Sequence, residues 1–369
     1  MTSENSAKRM LFVGPVPPPI SGQSIAFMET YKIFEECRPL LIDQNVSGKS
    51  AVSTVLIILR ALIRLSYYLA LKNVDVVYFT CSRSFRGSLF DIVLINLSSM
   101  AGAKIVNHLH GADFREFYDR CGPFYRRILA ISYRKVCLSI VLLKELKTQF
   151  TDLFPQMKVL ATPNFYPCEL DAIEDKPQSE TVRVLYLSNI MKSKGIVELL
   201  DAFDRLCRQY PGLLSLTIAG NFMDDRYCTR REIEKSVYKR LNAIRMTFGD
   251  CIFFKGFVTG GEKFDLLLSS DIFVLPSYRE ALPLSILEAM RAGNAIVTTR
   301  MRHLTSIISV REGITVDAGS VEALVDGLAA LVEDRKRLMA IQFHNMDHAR
   351  RRYSLGLYRK RMKKIFEQM

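Results

Sequence analysis

Along this chain, short runs of aliphatic and β-branched residues alternate with longer stretches in which apolar positions recur every three or four residues. The short runs predict strands and the longer ones predict covering helices, an alternation that builds parallel sheets. In the first half, strands are predicted over 10–13, 39–42, 75–79, 104–107, 137–142 and 158–161; in the second, over 183–187, 214–219, 252–254, 271–275 and 295–298. The fold class expected is α/β, with two doubly wound, Rossmann-like domains facing across a cleft. Between the halves, P-N-F-Y-P-C-E-L-D-A-I-E-D-K-P-Q-S-E-T (163–181) is rich in proline and polar residues and has no clear period, so it reads as a linker. The expected division is a first domain over 1–165, a linker over 166–181, a second domain over 182–345 and a basic helix over 346–369 that packs back on the first domain.

The tail is periodic as well as basic. Leu355, Tyr358, Met362, Ile365 and Met369 form an apolar seam, with Arg359, Lys360, Arg361, Lys363 and Lys364 beside it. Such a helix can dock on protein or on anionic lipid. The longest apolar run, 52–71, carries Arg60 and Arg64 near its middle. Each costs about 2.5–3.5 kcal/mol at a bilayer centre, so this run is not expected to span a membrane.

Composition narrows the picture. With 49% hydrophobic and 24% charged residues in 369, the chain is globular and long enough for two cores. The net charge of +13 points to an anionic partner. No aromatic RNA-binding motif, zinc finger or helix-turn-helix pattern accompanies that charge, so a membrane surface is expected rather than nucleic acid. The eight cysteines are scattered without a C-x-x-C or a Cys/His metal spacing, and the opening lacks an apolar signal core. Reduced thiols in a cytoplasmic protein are expected.

Candidate chemistry concentrates in P-S-Y-R-E-A-L-P-L-S-I-L-E-A-M-R-A-G (276–293). A strand ends at Pro276, and a helix begins with Pro283 at its first turn and stops before Gly293. Free N–H groups near Leu284 suit a phosphate. Glu288, on the helix, can accept from vicinal hydroxyls such as those of a ribose, and Glu280, on the loop, lies where a sugar on that phosphate would reach. Asp224 and Asp225 form an adjacent acidic pair, but they follow A-G-N-F-M in an apparent loop, and no metal site is assigned to them.

The E-x7-E pattern, set between P-S and A-M-R-A-G with a strand on either side, resembles the retaining glycosyltransferases of family 4, which have the GT-B fold. The resemblance is strongest over 183–334. It includes V-L-Y-L-S-N-I-M-K-S-K-G (184–195), where Lys194 matches the family's diphosphate lysine. Asn189 stands in the place of the family's arginine, with Lys192 a candidate to compensate. It also includes F-F-K-G-F-V (253–258), where backbone near Val258 would approach the nucleotide base. Leu282, Pro283 and Leu284 would offer main chain to the phosphates. In the first half, G-P-V-P-P-P-I-S-G-Q-S-I-A (14–26) resembles the family's glycine-bearing loop, with Gly22 and Gln23 near acceptor or donor. N-H-L-H-G-A-D-F (107–114) places His110 beside the donor sugar, with His108 and Asp113 as weaker candidates.

The resemblance implies an acceptor-binding first domain and a nucleotide-sugar-binding second domain. It implies transfer of a sugar, with retained anomeric configuration, from a nucleotide diphosphate donor to a lipid-linked saccharide acceptor in surface polysaccharide biosynthesis. Glu280 and His110 would be catalytic, and neither metal nor another cofactor is implied. The expected location is the inner face of the cell membrane, held peripherally. Three departures stand beside this: Asn189, Ala281 where glycine commonly follows the first glutamate, and R-M-R-H-L-T-S-I-I (300–308) without the usual Gly-Gly and glutamate. They keep open a non-catalytic GT-B protein that binds a nucleotide sugar or a partner transferase. A nucleotide-sugar epimerase has only the architecture in its favour.

Overall fold

A computed structural model describes residues 8–45, 51–172, 176 and 179–369. Expectations that fall on 1–7, and on 173–175 and 177–178 of the 166–181 segment, lie outside the described residues.

The first sheet contains β1 (Met10–Gly14), β2 (Leu40–Asp43), β3 (Val76–Thr80), β4 (Lys104–Leu109), β5 (Leu138–Val141) and β6 (Lys158–Ala161). Their spatial order is β2-β1-β3-β4-β5-β6, and every pairing is parallel. The second sheet contains β7 (Val182–Leu187), β8 (Leu214–Ala219), β9 (Ile252–Gly256), β10 (Ile272–Leu275), β11 (Ala295–Thr299) and β12 (Gly313–Val316) in the order β12-β11-β10-β7-β8-β9, again all parallel. Central strands such as β1, β3, β10 and β11 are buried along their whole length, as sheets covered on both faces require. That is why they read as continuous apolar runs rather than alternating ones. β12 is the strand that the sequence pattern does not reveal: four residues at a sheet edge, half of them only partly buried, carry too little hydrophobic signal.

The chain divides into a first domain, Met1–Asn164 with Tyr358–Met369, and a second, Phe165–Leu357. Of the stretch expected as a linker, 166–181, the described residues 166–172, 176 and 179–181 belong instead to the second domain. Tyr166 and Leu170 are buried. Tyr166 donates its N–H to Tyr353 O at 2.9 Å and its hydroxyl to Asp171 Oδ1 at 2.6 Å, and Arg291 Nη2 donates to Asp171 O at 2.8 Å. Proline and polar residues dominate the composition there, but two apolar side chains anchor it.

The basic tail also differs from expectation, because 346–369 is not one helix. Helix Arg335–Tyr353 runs through its start, Ser354 is extended (φ −64°, ψ 148°), and a second helix covers Leu355–Glu367. From Tyr358 onward the chain belongs to the first domain. Tyr358, Met362, Ile365 and Phe366 are buried there. The hydroxyls of Tyr358 and Thr30 are 2.6 Å apart, the Phe366 ring lies 4.8 Å from that of Phe34, and Arg359 pairs with Glu29 at 2.7 Å. The seam read from sequence is therefore filled by protein and offers nothing to lipid.

A row of exposed apolar side chains in this domain lies on helix Ala51–Leu71, whose stretch Val52–Leu71 is long and apolar enough to cross a membrane yet only 11% buried. Val52, Leu56, Leu59, Ile63, Tyr67 and Leu71 follow one another at steps of three or four and are all exposed, Ile63 to 69%. Arg60 and Arg64 border that stripe, while Ala61 and Leu65 are buried.

If the tail is core, Met362→Ala should destabilise the protein by about 2–5 kcal/mol, whereas exposed Lys363→Ala should change stability by less than about 0.5 kcal/mol. Chemical unfolding of both variants checks this, and equal effects would refute the packing.

Candidate active site

In a parallel sheet all strands end on one edge, and loops leaving that edge carry the chemistry of open α/β folds. Each domain has such an edge.

At the edge of the first domain, β4 delivers His108 and His110. Tyr78 Oη and His108 Nδ1 are 2.7 Å apart, and the two imidazoles lie 4.0 Å apart between ring centres. Both ring nitrogens of His110 are buried and have no hydrogen-bond partner among the described residues. Burial first, and then the nearby Arg83 charge, push the His110 pKa down to about 3, so the ring is neutral at physiological pH. Burial likewise lowers His108, with His110 adding to the effect.

Arg83 follows β3 and was not singled out by sequence. A Cβ on Gly111 would lie 2.0 Å from Arg83 Nη1, so the glycine after His110 makes room for the guanidinium. Arg83 in turn pairs with Asp113 at 2.7 Å. Its loop is fixed by Asp91, which accepts from Ser82 N (2.8 Å), Ser82 Oγ (3.2 Å) and Tyr133 Oη (3.2 Å). Gly22 opens helix Gly22–Lys32, where the Ser21 side chain accepts from Ser24 N at 3.1 Å; Gly22 is exposed and Gln23 half-buried.

In the second domain three loops are knitted together at the strand ends. After β7, Ser193 donates its N–H to Asp225 Oδ2 at 2.6 Å, which ties this loop to the one after β8. Its carbonyl accepts from Tyr278 N (2.9 Å) and Ser277 Oγ (3.2 Å), both in the loop after β10. Lys194 thereby meets Glu280, and the two form a partly buried ion pair. Gly195, at φ +71°, lets the chain pass over Pro276: a Cβ there would sit 2.2 Å from the Pro276 carbonyl oxygen. The Lys-Gly pair is thus one cation plus the turn that aims it.

Glu280 is braced from behind. Its carbonyl lies 2.6 Å from His303 Nε2 and its N–H 3.3 Å from Met301 Sδ, so the 300–308 loop acts as support where sequence showed only missing glycines. Helix Leu284–Arg291 starts after Pro283, with no side chain capping its first turn. The opening N–H groups of any helix lack intrahelical acceptors and carry partial positive charge. Leu282 and Leu284 bury their side chains, which leaves main chain as what they can offer a ligand. Glu288, 4% exposed, pairs with Lys263 at 2.6 Å. Lys263 was likewise missed, because a lysine on a separate helix, Gly260–Ser269, has no sequence spacing to Glu288.

Asn189 is exposed and supplies its carbonyl to Tyr186 Oη at 3.2 Å, and Val258, after β9, is buried. Asp224 and Asp225 serve the backbone. Asp224 accepts from Arg230 N (2.6 Å), and Asp225 also accepts from Tyr227 N (2.8 Å) and Cys228 N (3.1 Å). Burial raises the Asp225 pKa, but hydrogen bonds from Ser193 and the following amides outweigh it and hold the carboxyl below its ordinary value.

With this geometry in view, the comparison with known proteins becomes specific. Residues 171–344 match the family of group 1 glycosyl transferases. The matched segment contains Lys194, Val258, Glu280 and Glu288 together with the loops that hold them. An uncharacterized glycosyltransferase of Methanocaldococcus jannaschii is 25% identical over 65% of this chain and 63% of its own length. Glycogen synthase of Mycobacterium tuberculosis is 28% identical over 43% of this chain and 36% of its own. The chain therefore spans less than two thirds of these curated relatives. Among solved structures, Anabaena HepE in complex with UDP-glucose is similar over 98% of this chain and 100% of that one, at 15% identity and a TM-score of 0.75. Sucrose-phosphate synthase from Thermosynechococcus elongatus is similar over 98% and 99%, at 14% identity and a TM-score of 0.71. Two parallel-sheet α/β domains of this kind constitute the GT-B fold.

Asp91 provides a check on the first-domain edge. Burial raises its pKa to about 7 despite the bonds from Ser82 and Tyr133, against an ordinary 3.8. Between those values the folded state holds a proton that the unfolded chain has lost, so this group makes stability fall as pH rises from about 4 to 7. Asp91→Asn should flatten that slope, which is at most about 1.4 kcal/mol per pH unit. Unfolding at a series of pH values measures it, and identical slopes in the two proteins would contradict the assignment.

Proposed function

We propose that the protein is a retaining glycosyltransferase that moves a sugar from a nucleotide diphosphate donor to a saccharide acceptor carried on a lipid, in the assembly of a surface polysaccharide. The observation that carries this reading is the convergence of Lys194, Glu280 and the open start of helix Leu284–Arg291 within a segment matching group 1 glycosyl transferases. A diphosphate at the helix start would meet oriented N–H groups and would compete with Glu280 for Lys194. Charge developing on the leaving diphosphate is then stabilised by groups already in place. Glu280, released from the lysine, faces the sugar as its anomeric carbon gains positive character. Glu288 accepts from ribose hydroxyls, its charge balanced by Lys263. His110, neutral and with both nitrogens unengaged, serves the sugar as a hydrogen-bonding partner. None of these roles calls for a metal.

Support for a lipid-linked acceptor comes from a Campylobacter jejuni relative, N,N'-diacetylbacillosaminyl-diphospho-undecaprenol alpha-1,3-N-acetylgalactosaminyltransferase. It is 38% identical over 20% of this chain and 19% of its own length. Such an acceptor places the protein at a membrane. The exposed stripe on helix Ala51–Leu71, bordered by Arg60 and Arg64, has the make-up of a helix that lies in an anionic lipid surface at the cytoplasmic face. A second reading, a non-catalytic GT-B protein that binds a nucleotide sugar or a partner transferase, is favoured by Asn189 in the arginine's place.

Incubation of the protein and membranes with a panel of labelled nucleotide sugars separates the two. Transfer to the lipid fraction, reduced about 10²–10³-fold by Glu280→Gln, supports the enzyme; tight nucleotide binding without transfer across the panel supports the second reading. Lys194→Ala should weaken donor binding in either case.

For the membrane surface, sedimentation with vesicles containing anionic lipid should fall as salt rises. It should fall further in the Leu59→Glu/Ile63→Glu double variant. Vesicle binding unchanged by those substitutions would remove the helix from the proposal.

A further inference from the structure

We propose that Glu312, His344 and His348 form a binding site for a divalent transition-metal ion such as Zn²⁺ in the second domain, separate from the sugar-transfer residues. His344 and His348 lie four apart on helix Arg335–Tyr353. That spacing places two imidazoles on one helix face a turn apart, as helical zinc motifs do. Glu312 comes from the turn before β12. One ligand atom from each of the three residues falls within 4.8 Å of the others.

The details suit a metal as well as a hydrogen-bonded cluster. Glu312 Oε1 lies 2.7 Å from His344 Nε2 and 2.9 Å from His348 Nδ1, so one oxygen serves both rings. The second oxygen, Oε2, accepts from Ser309 N at 2.9 Å and Ser309 Oγ at 2.5 Å. That outer pair fixes the carboxylate with Oε1 turned to the imidazoles, the kind of support that orients ligands in metal sites. Zinc–ligand bonds of about 2.0–2.1 Å in a tetrahedron put ligand atoms roughly 3.3 Å apart. The two Glu312–imidazole separations therefore need to widen by about half an ångström, and the two imidazole nitrogens already lie within 4.8 Å of each other.

The surroundings are compatible. Glu312 is 5% exposed, while the two histidines keep 24% and 19% of their side chains accessible, so an ion can reach them from solvent. Asn345, between the histidines, donates to Asn294 O (2.7 Å) and Glu312 O (2.9 Å) and sets the helix against the turn. A cation borders the cluster, Arg311, whose Nη2 lies 3.5 Å from His344 Nδ1 on an exposed side chain. Imidazole and carboxylate together suit Zn²⁺, Co²⁺ or Ni²⁺ better than Mg²⁺ or Ca²⁺. The ion would staple helix Arg335–Tyr353 to the end of the sheet at β12. This site stands independently of the glycosyltransferase reading.

The test uses the full-length protein, stripped with chelator and desalted. Calorimetric titration with Zn²⁺ should show one equivalent bound, and the unfolding temperature should rise by several degrees. The variant His344→Asn/His348→Gln keeps an amide N–H toward Glu312 but removes both imidazoles. It should lose affinity by more than the roughly 10–100-fold that loss of an outer-shell partner costs, and it should lose the thermal shift. Absence of stoichiometric binding to the parent protein would overturn the proposal. So would equal binding by the variant, which would move the ion to thiols such as Cys207 and Cys251, whose sulfurs are 3.9 Å apart. Co²⁺ substitution in the parent protein decides the matter if the variant does not fold: a spectrum without thiolate charge transfer is expected, and a thiolate band would refute the site.

Discussion

The parallel pairing of β7 with β8 on one side and β10 on the other is the constraint from which the second domain's site follows. It sends the loops after all three strands out of the same edge as neighbours. Ser193 then joins them, donating to Asp225 in one loop and accepting from Ser277 and Tyr278 in the other. Lys194 and Glu280, 86 positions apart, become an ion pair because the backbone on both sides is already tied. A one-residue change of register would break this arrangement, since successive strand residues face opposite sides of the sheet.

The ion pairs at this edge are better understood as poised charge than as sources of stability. Taking charges out of water costs roughly what their attraction returns, so pairs such as Lys194–Glu280 and Lys263–Glu288 add little to folding. What they provide is two cations and two carboxylates held at fixed places. The first domain uses the same economy with different groups. Asp91 fixes Ser82, the adjacent Arg83 lies over Gly111 and pairs with Asp113, and His110 is left buried, neutral and unengaged.

The tail and helix Ala51–Leu71 show how similar sequence patterns reach opposite ends. Both carry apolar seams beside basic residues. In the tail, Tyr358 of the seam meets Thr30, its neighbours Phe366 and Arg359 meet Phe34 and Glu29, and the seam disappears into the core, whereas most of the stripe on helix Ala51–Leu71 remains in the open. Periodicity records that a face is apolar; it holds no information on whether another part of the chain will cover it.

Much of the fold was legible. Parallel strands covered on both faces read as apolar runs, and eleven of the twelve strands among the described residues were read from short apolar and β-branched runs, the edge strand β12 being the exception. Strand-end and helix-start signatures located Glu280 on its loop and Glu288 on its helix, while Lys194 was singled out by the family resemblance alone. Arg83, Lys263, His303 and the meeting of Glu312 with His344 and His348 were not legible, since each depends on residues brought together from separate elements. The amino-acid order by itself determined which segments are strands, which helix starts are open and where the charges lie along the chain. Only the tertiary structure decided which charges are neighbours and which apolar faces are covered, because contact between distant positions is set by sheet order and packing rather than by spacing along the chain.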